Sequence, residues 1–372
     1  MLKLVFISDI ATPQQIKFCK SLQEYFNSYF FFYESPNRTR GDWWSIELGE
    51  KCAVLTDTWF AKPGLFEYRY YSPSLIKRLE NINPDIVMIG GFSRPSNYLC
   101  YRWAKMNGKK TIVITERSRK VNGTIRKSGF FWLIQKYIYR NIDHIMVTAD
   151  DIKDQFSKEF GFGNKKVSVC PYAADLEAYF THATRIKKID NSYTYLFANR
   201  LTNIYNPILA INIFHLIRLR YPKSSLLMNG AGELRKECEK LIRKLHLEKE
   251  IILLDNISKW DELHQVYKKS DILLFPANFS NGNFTILEAM ASGMGIVISN
   301  KILGIGKLIQ DNKNGYVCFN DDINSYLEAV NNYILNPENF LKHKNINRLI
   351  ANKFTPNEVA KTFNENIIRL QF

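Results

Sequence analysis

The strongest constraint on the fold is an alternation. Short apolar runs rich in β-branched and aromatic residues recur along the chain, each followed by a loop and a longer amphipathic stretch. In the first half the runs are LKLVFIS (2–8), SYFFFY (28–33), DIVMIGG (85–91), KTIVIT (110–115), HIMVTA (144–149) and KVSVCP (166–171). In the second they are YTYLFAN (193–199), SSLLMNG (224–230), EIILLDN (250–256), DILLFPA (271–277) and GIVISN (295–300). A strand that is apolar on both faces needs cover on both, and an intervening helix returns the chain to start a parallel neighbour. The pattern therefore predicts an α/β protein built from doubly wound, Rossmann-like domains. At 372 residues two cores are expected rather than one. A polar stretch of low periodicity, 176–192, marks the junction. The expected domains are 1–185 and 186–352. In such sheets ligands bind beyond the carboxyl ends of the strands, near the point where strand order reverses. Two facing domains place the expected site in a cleft between them.

Charge narrows the partners. The formal net charge is +15. Residues 101–150 hold eleven Lys/Arg against three Asp/Glu, so over half of the excess lies in one segment. A concentrated positive balance implies an anionic partner. Within it, 117–140 interleaves seven cations (Arg117, Arg119, Lys120, Arg126, Lys127, Lys136, Arg140) with large rings. That mixture suits the headgroup region of an anionic bilayer, although a helix packing Trp132, Leu133 and Tyr137 on a sheet gives the same pattern. No nucleic-acid-binding motif is present, so nucleic acid is not an expected partner. The segment SPNRTRGDWW (35–44) joins Arg38 and Arg40 to Trp43 and Trp44, as an acceptor loop or a buried Trp pair would.

Other chemistry is excluded by spacing. The six cysteines are scattered, without a CxxC, and the six histidines lie apart. This argues against zinc and against a disulfide framework, and fits a reduced compartment. GAG (230–232) is followed by Arg235 where a dinucleotide fingerprint needs its third glycine. There is no DxD. The first residues, MLKLVFISDI, read as a buried strand rather than a leader, and no apolar run approaches the ~18–20 residues that span a bilayer.

The densest motif is FPANFSNGNFTILEAMASG (275–293). A loop of Asn, Ser and Gly feeds a helix whose unpaired N–H groups and dipole favour an anion such as phosphate. Glu288 sits one turn inside, where a carboxylate can accept bonds from sugar hydroxyls.

Taken in order, several segments resemble the retaining GT-B glycosyltransferases called group 1 or family 4. FANRL (197–201) resembles the family's GRL strand end, LLMNGAGEL (226–234) its VGxGP turn, and ILLDNISKWDELHQVYKKSDILLFPA its ELxxxYxxAD run. NFTILEAMASGMGIVIS and GIGKLIQDNKNGYVCF resemble the LEAMAxGxPVVAS and ELIxDGxNG pieces. In the first half, HIMVTADDIKDQF and KVSVCPYAADLEAYF resemble a looser AVSxxxxxxL…VIPNGVD pattern. The resemblance covers most of 140–335 and implies a GT-B fold. It also implies that the last stretch, 353–372, is a helix crossing back to the first domain.

The resemblance implies a transferase that moves a sugar from a nucleotide-diphosphate sugar to an acceptor hydroxyl. The expected acceptor is a saccharide or lipid-linked saccharide of cell-surface polysaccharide synthesis (capsule or lipopolysaccharide). Retention, no metal, no cofactor beyond the co-substrate, and a cytoplasmic, peripheral place at the inner face of the plasma membrane are implied with it. Arg200 would hold the donor diphosphate and Glu288 the ribose. The remaining donor contacts would come from Tyr205, Gly230, Ser280, Asn281, Gly282, Asn283, Phe284 and Thr285. Thr12, Arg94, Glu116 and Arg117, at strand ends of the first domain, are candidates for the acceptor. Three positions depart from the family. Tyr205 stands where a lysine is expected, Ser280 where the first motif glutamate is expected, and TER (115–117) where a histidine is common. An alternative is therefore a non-catalytic GT-B partner or scaffold whose donor site has decayed.

Overall fold

The computed structural model describes residues 1–34, 47–61, 69–92, 94–116, 120–121, 124–125, 130–163, 166–182, 191–255, 260–280, 283–302, 304–319 and 322–370. The chain forms two compact units, Met1–Asp175 with Pro356–Phe372, and Leu176–Thr355. Leu176 and Tyr179, at the start of the polar junction, are already buried. Arg38, Arg40, Trp43 and Trp44 lie outside the described residues.

The first unit contains strands β1 (Lys3–Ile10), β2 (Asn27–Glu34), β3 (Cys52–Val54), β4 (Trp59–Ala61), β5 (Arg69–Tyr71) and β6 (Ile86–Ile89). They are followed by β7 (Lys110–Thr115), β8 (Lys120–Val121), β9 (Thr124–Ile125), β10 (His144–Val147) and β11 (Val167–Val169). Seven of them form one parallel sheet in the order β11-β10-β7-β6-β1-β2-β3. Strands β4 with β5, and β8 with β9, make two short antiparallel ribbons. Strand order reverses between β1 and β6, where Leu4 pairs with Ile86.

Side chains alternate across this sheet, as a parallel strand requires. Leu4, Phe6, Ile86, Met88, Ile112 and Met146 face one core with the helices Pro13–Leu22 and Pro356–Arg369. Val5, Ile7, Val87, Ile89, Val113 and Ile145 face the other. The C-terminal helix is fixed here by ring contacts of Phe363 with Phe18 and Phe26, and by Asn366 donating to the Val169 carbonyl at 3.2 Å.

The second unit contains β12 (Thr194–Phe197), β13 (Ser225–Asn229), β14 (Ile251–Leu254), β15 (Ile272–Phe275), β16 (Gly295–Ser299) and β17 (Tyr316–Cys318). They form a parallel sheet in the order β14-β13-β12-β15-β16-β17. Order reverses between β12 and β15, where Tyr195 pairs with Ile272. The loops after these two strands are 198–206 and 276–283, the segments that carry most of the expected donor residues. Both sheets are covered by helices, the arrangement of two Rossmann-like domains. All six cysteines are buried and unpaired.

Candidate active site

In the second unit the site is built on the strand-order reversal. The loop after β12 turns back on itself, with Thr202 N–H donating to the Arg200 carbonyl at 2.8 Å. It is tied on one side to the glycine turn after β13. Leu201 N–H donates to Ala231 O at 2.8 Å, and Leu234 N–H donates to Leu201 O at 2.9 Å. On the other side it is tied to the loop after β15. Asn278 donates its backbone N–H to Ile204 O and its side-chain amide to Asn203 O, each at 2.8 Å. Three strand ends thus form one hydrogen-bonded rim.

Gly232 makes the first of these ties possible. Its φ is +151°, and a Cβ there would lie 2.3 Å from Leu201 O and 2.5 Å from Leu201 N. Only glycine lets the two backbones approach this closely. Gly230 is buried at the end of β13, and its carbonyl accepts from Arg235 at 2.9 Å. Arg235 in turn pairs with Asp255, at the end of β14, and with Glu239.

Arg200 is exposed on the rim, in a loop held at both flanks. Tyr205 is half-buried, and its ring lies over Phe275 at the end of β15. The position that supplies a lysine in the resembling family is thus used here for packing.

The helix Phe284–Ser292 starts directly beyond β15. Its N-cap residue Asn283 has φ +54°, and the Asn283 carbonyl accepts from Ile286 and Leu287 N–H at 3.0 Å. Gly293, with φ +69°, ends the helix in the left-handed conformation. Ser280, Asn283, Phe284 and Thr285 are half-buried around the helix start, and Asn281 and Gly282 lie outside the described residues. The first-turn N–H groups cannot be satisfied within the helix, which gives this end a partial positive charge.

Glu288 is 6% exposed and accepts a hydrogen bond from the Tyr267 hydroxyl. Burial and the adjacent Glu288 charge push the Tyr267 phenol well above its ordinary pKa, so it stays a donor. Tyr267 was not singled out from the sequence. Its one available signal is its place in the VYKKSD run that resembles the family's YxxAD piece.

In the first unit the candidates also gather at strand ends beside the order reversal. Arg94, after β6, forms a two-point ion pair with Asp9 of β1, at 2.7 Å and 3.2 Å. Thr12 caps the helix Pro13–Leu22, its hydroxyl accepting from Gln15 N–H at 3.2 Å. Glu116 follows β7, open at one edge but enclosed enough that burial raises its carboxyl pKa, and a hydrogen bond from Tyr172 opposes the rise. Arg117 lies outside the described residues. Asp9, at the same strand end as Thr12, and Tyr172 are the partners that shape this edge.

Comparison with known proteins agrees with this architecture. The family described as "Glycosyl transferases group 1" matches residues 181–352, and "Glycosyltransferase Family 4" matches 39–178. An uncharacterised glycosyltransferase of Haemophilus influenzae is 24% identical over 144 residues, 39% of this chain and 40% of that protein. An Escherichia coli UDP-Gal:alpha-D-GlcNAc-diphosphoundecaprenol alpha-1,3-galactosyltransferase is 26% identical over 274 residues, 69% of this chain and 68% of that enzyme. Among solved structures, a Rickettsia africae glycosyltransferase superposes with a TM-score of 0.74 at 14% identity, covering 100% of this chain and 98% of that one. With each half matched in turn and two Rossmann-like sheets in place, the chain belongs to the group 1 and family 4 glycosyltransferases of GT-B fold.

Proposed function

We propose that the protein transfers a sugar from a nucleoside-diphosphate sugar to a hydroxyl of a lipid-linked saccharide, with retention of anomeric configuration and without a metal or further cofactor. The observation that carries the proposal is the second unit's strand-order reversal, with Arg200 exposed on one loop and Glu288 buried in the first turns of the helix beyond the other. As the glycosidic bond breaks, negative charge grows on the departing diphosphate. The Arg200 guanidinium and the helix N-terminal amides hold that charge, which lowers the barrier. The departing oxygen takes the acceptor proton, so no side chain need act as a nucleophile. Glu288 accepts hydrogen bonds from the ribose.

A lipid-linked acceptor is supported by two things. The Escherichia coli relative is named for a diphosphoundecaprenol-linked sugar. In the first unit, Leu133 and Tyr137 of the helix Phe130–Asn141 are 57% and 68% exposed, with Arg140 also exposed. Exposed apolar groups beside cations suit peripheral contact with an anionic membrane, which supports a peripheral place at the inner face of the plasma membrane. No described helix is long and apolar enough to cross a membrane.

A second reading is a GT-B partner protein that binds nucleotide without turnover. It is favoured by Ser280 and by the packing of Tyr205, which together remove one carboxylate and one cation from the expected set. Thermal shift with UDP, GDP and ADP, followed by donor hydrolysis assays with the matching sugar conjugates, separates the two. A shift lost in Glu288→Ala together with turnover supports the transferase. A shift without turnover of any conjugate supports the partner protein.

A further inference from the structure

Glu288 is held by more than its own helix. Tyr267, from the helix Leu263–Lys269, is 1% exposed and donates to Glu288 Oε2. The Thr285 side chain, in the first turn of the helix that carries Glu288, interacts with the same phenol and opposes the rise of its pKa. The Tyr267 ring is packed edge-on against Tyr179, with centroids 5.2 Å apart and planes at 84°. At the far end of the helix that carries Glu288, Ser292 Oγ lies 3.1 Å from His182 Nδ1. Arg348 clamps the same end, donating to Ala291 O at 2.9 Å and to His182 O at 2.7 Å.

We propose that Tyr267 is a positioning residue, whose hydroxyl fixes the Glu288 carboxylate in the orientation and the ionised form that accept the ribose hydroxyls of a bound nucleotide. The proposal rests on the assignment of Glu288 to the ribose made above. A buried carboxylate needs donors to stay charged. The phenol supplies one, in a fixed direction, because its ring is locked between Tyr179 and the helix. The Tyr267 proton points at Glu288, and Thr285 adds a second polar neighbour to the phenol.

Two consequences follow that mere packing would not give. Without the phenol, Glu288 loses its grip on the ribose. The penalty then falls on nucleotides that carry the 2′-hydroxyl, and much less on those that lack it. Removal of a donor to the charged form also raises the Glu288 pKa, so the loss of affinity on acidification begins at a higher pH.

The test is calorimetric titration of UDP and 2′-deoxy-UDP into wild type, Glu288→Ala, Tyr267→Phe and Thr285→Val, each across pH 5–8. The same pairs of GDP and ADP are used if UDP does not bind. Tyr267→Phe is expected to weaken ribonucleotide binding about tenfold, the scale of one lost bond to a charged group. It should bring the ribo/deoxy ratio close to unity and move the acid limb upward. Thr285→Val should act in the same direction by a smaller factor, and decides the matter if Tyr267→Phe does not fold. If Glu288→Ala abolishes the ribo/deoxy ratio while both other variants keep it and the wild-type pH profile, the positioning role is wrong and the ribose assignment stands. If Glu288→Ala binds both nucleotides like wild type, or wild type binds none at millimolar concentration, the ribose assignment fails and takes this proposal with it.

Discussion

Tyr205 lies over Phe275 with ring centroids 6.1 Å apart and planes inclined by 29°, which joins the loop after β12 to the end of β15 across the strand-order reversal. The ring therefore does structural work at a position expected to meet the donor diphosphate. Replacing it with lysine exchanges one role for the other. Tyr205→Lys should lower stability by about 1 kcal/mol, the size of a lost aromatic pair. It should also tighten binding of UDP relative to UMP, because only the former presents the second phosphate to the new cation. Denaturation midpoints and calorimetry at two salt concentrations check both halves, and the gain should shrink at high salt.

Arg200 presents the opposite case. It is exposed, and among the described residues its side chain makes no hydrogen bond or ion pair. Arg200→Ala should change stability by no more than about 0.5 kcal/mol. Turnover should fall on the order of 10²–10³-fold, as when one group that holds transition-state charge is removed. Arg200→Lys should recover part of the loss, since lysine keeps the charge but not the two-point fork. A melting curve beside a donor-turnover assay is sufficient, and a large loss of stability in Arg200→Ala would contradict the assignment.

The glycine turn after β13 is expected to tolerate no side chain at position 232. The obstructing atoms are the Leu201 backbone, at 2.3–2.6 Å from an added Cβ, so no rotamer change relieves the clash. Gly232→Ala should destabilise the second unit by about 2–4 kcal/mol and displace the loop that carries Arg200. Chemical denaturation measures the first effect. A loss of nucleotide affinity under conditions where the variant is still folded measures the second.

Much of this architecture is legible in the chain. KTIVIT gives β7 at its full length, and the apolar cores of the other long runs match their strands to within two or three residues. The reason is that a strand buried on both faces must be apolar throughout. Strands β3 and β17 were not expected, because three-residue edge strands such as CAV and YVC bury too little to show a pattern. Glu288 and Arg200 are visible because their neighbours carry a motif. Tyr267 was not, nor was the pairing of Asp9 with Arg94, since both depend on what the side chains touch. Tyr267 meets Glu288 from another helix, and Asp9 meets Arg94 across 85 residues of sequence. Thr12, a candidate for the acceptor at a strand end, also uses its hydroxyl as the N-cap of the next helix.

The exposed face of the helix Phe130–Asn141 yields a prediction about membranes. Leu133 and Tyr137 are four residues apart, hence on one helical face, and both are largely exposed. An aspartate at either place adds charge where the bilayer would meet the protein, without disturbing the buried Ile138 and Tyr139. Leu133→Asp and Tyr137→Asp should each reduce co-sedimentation with vesicles containing anionic lipid by severalfold, and leave the melting temperature nearly unchanged. Equal binding of wild type and both variants would mean that this face does not meet the membrane.

The last prediction concerns acid stability. In the second unit the Tyr333 hydroxyl accepts from Ile296 N–H at 3.0 Å and lies 2.7 Å from His343 Nδ1. His343 is fully buried, and burial, aided by the charge of Lys342, lowers its pKa to about 4. In the unfolded chain the imidazole returns to its ordinary value near 6.5. Between these two values the unfolded state binds the extra proton, so stability rises with pH across that window and is lost as pH falls through it. The expected slope is about 1.4 kcal/mol per pH unit for this one group. His144 in the first unit, also lowered to about 4 by burial, contributes a separate slope of the same sign. His343→Gln keeps a hydrogen-bonding group beside Tyr333 and removes the titration. Urea midpoints at pH 7, 6 and 5 should therefore fall less steeply in this variant than in wild type, with the second unit accounting for the difference. Parallel pH profiles for the two proteins would show that His343 does not carry its share of the acid sensitivity.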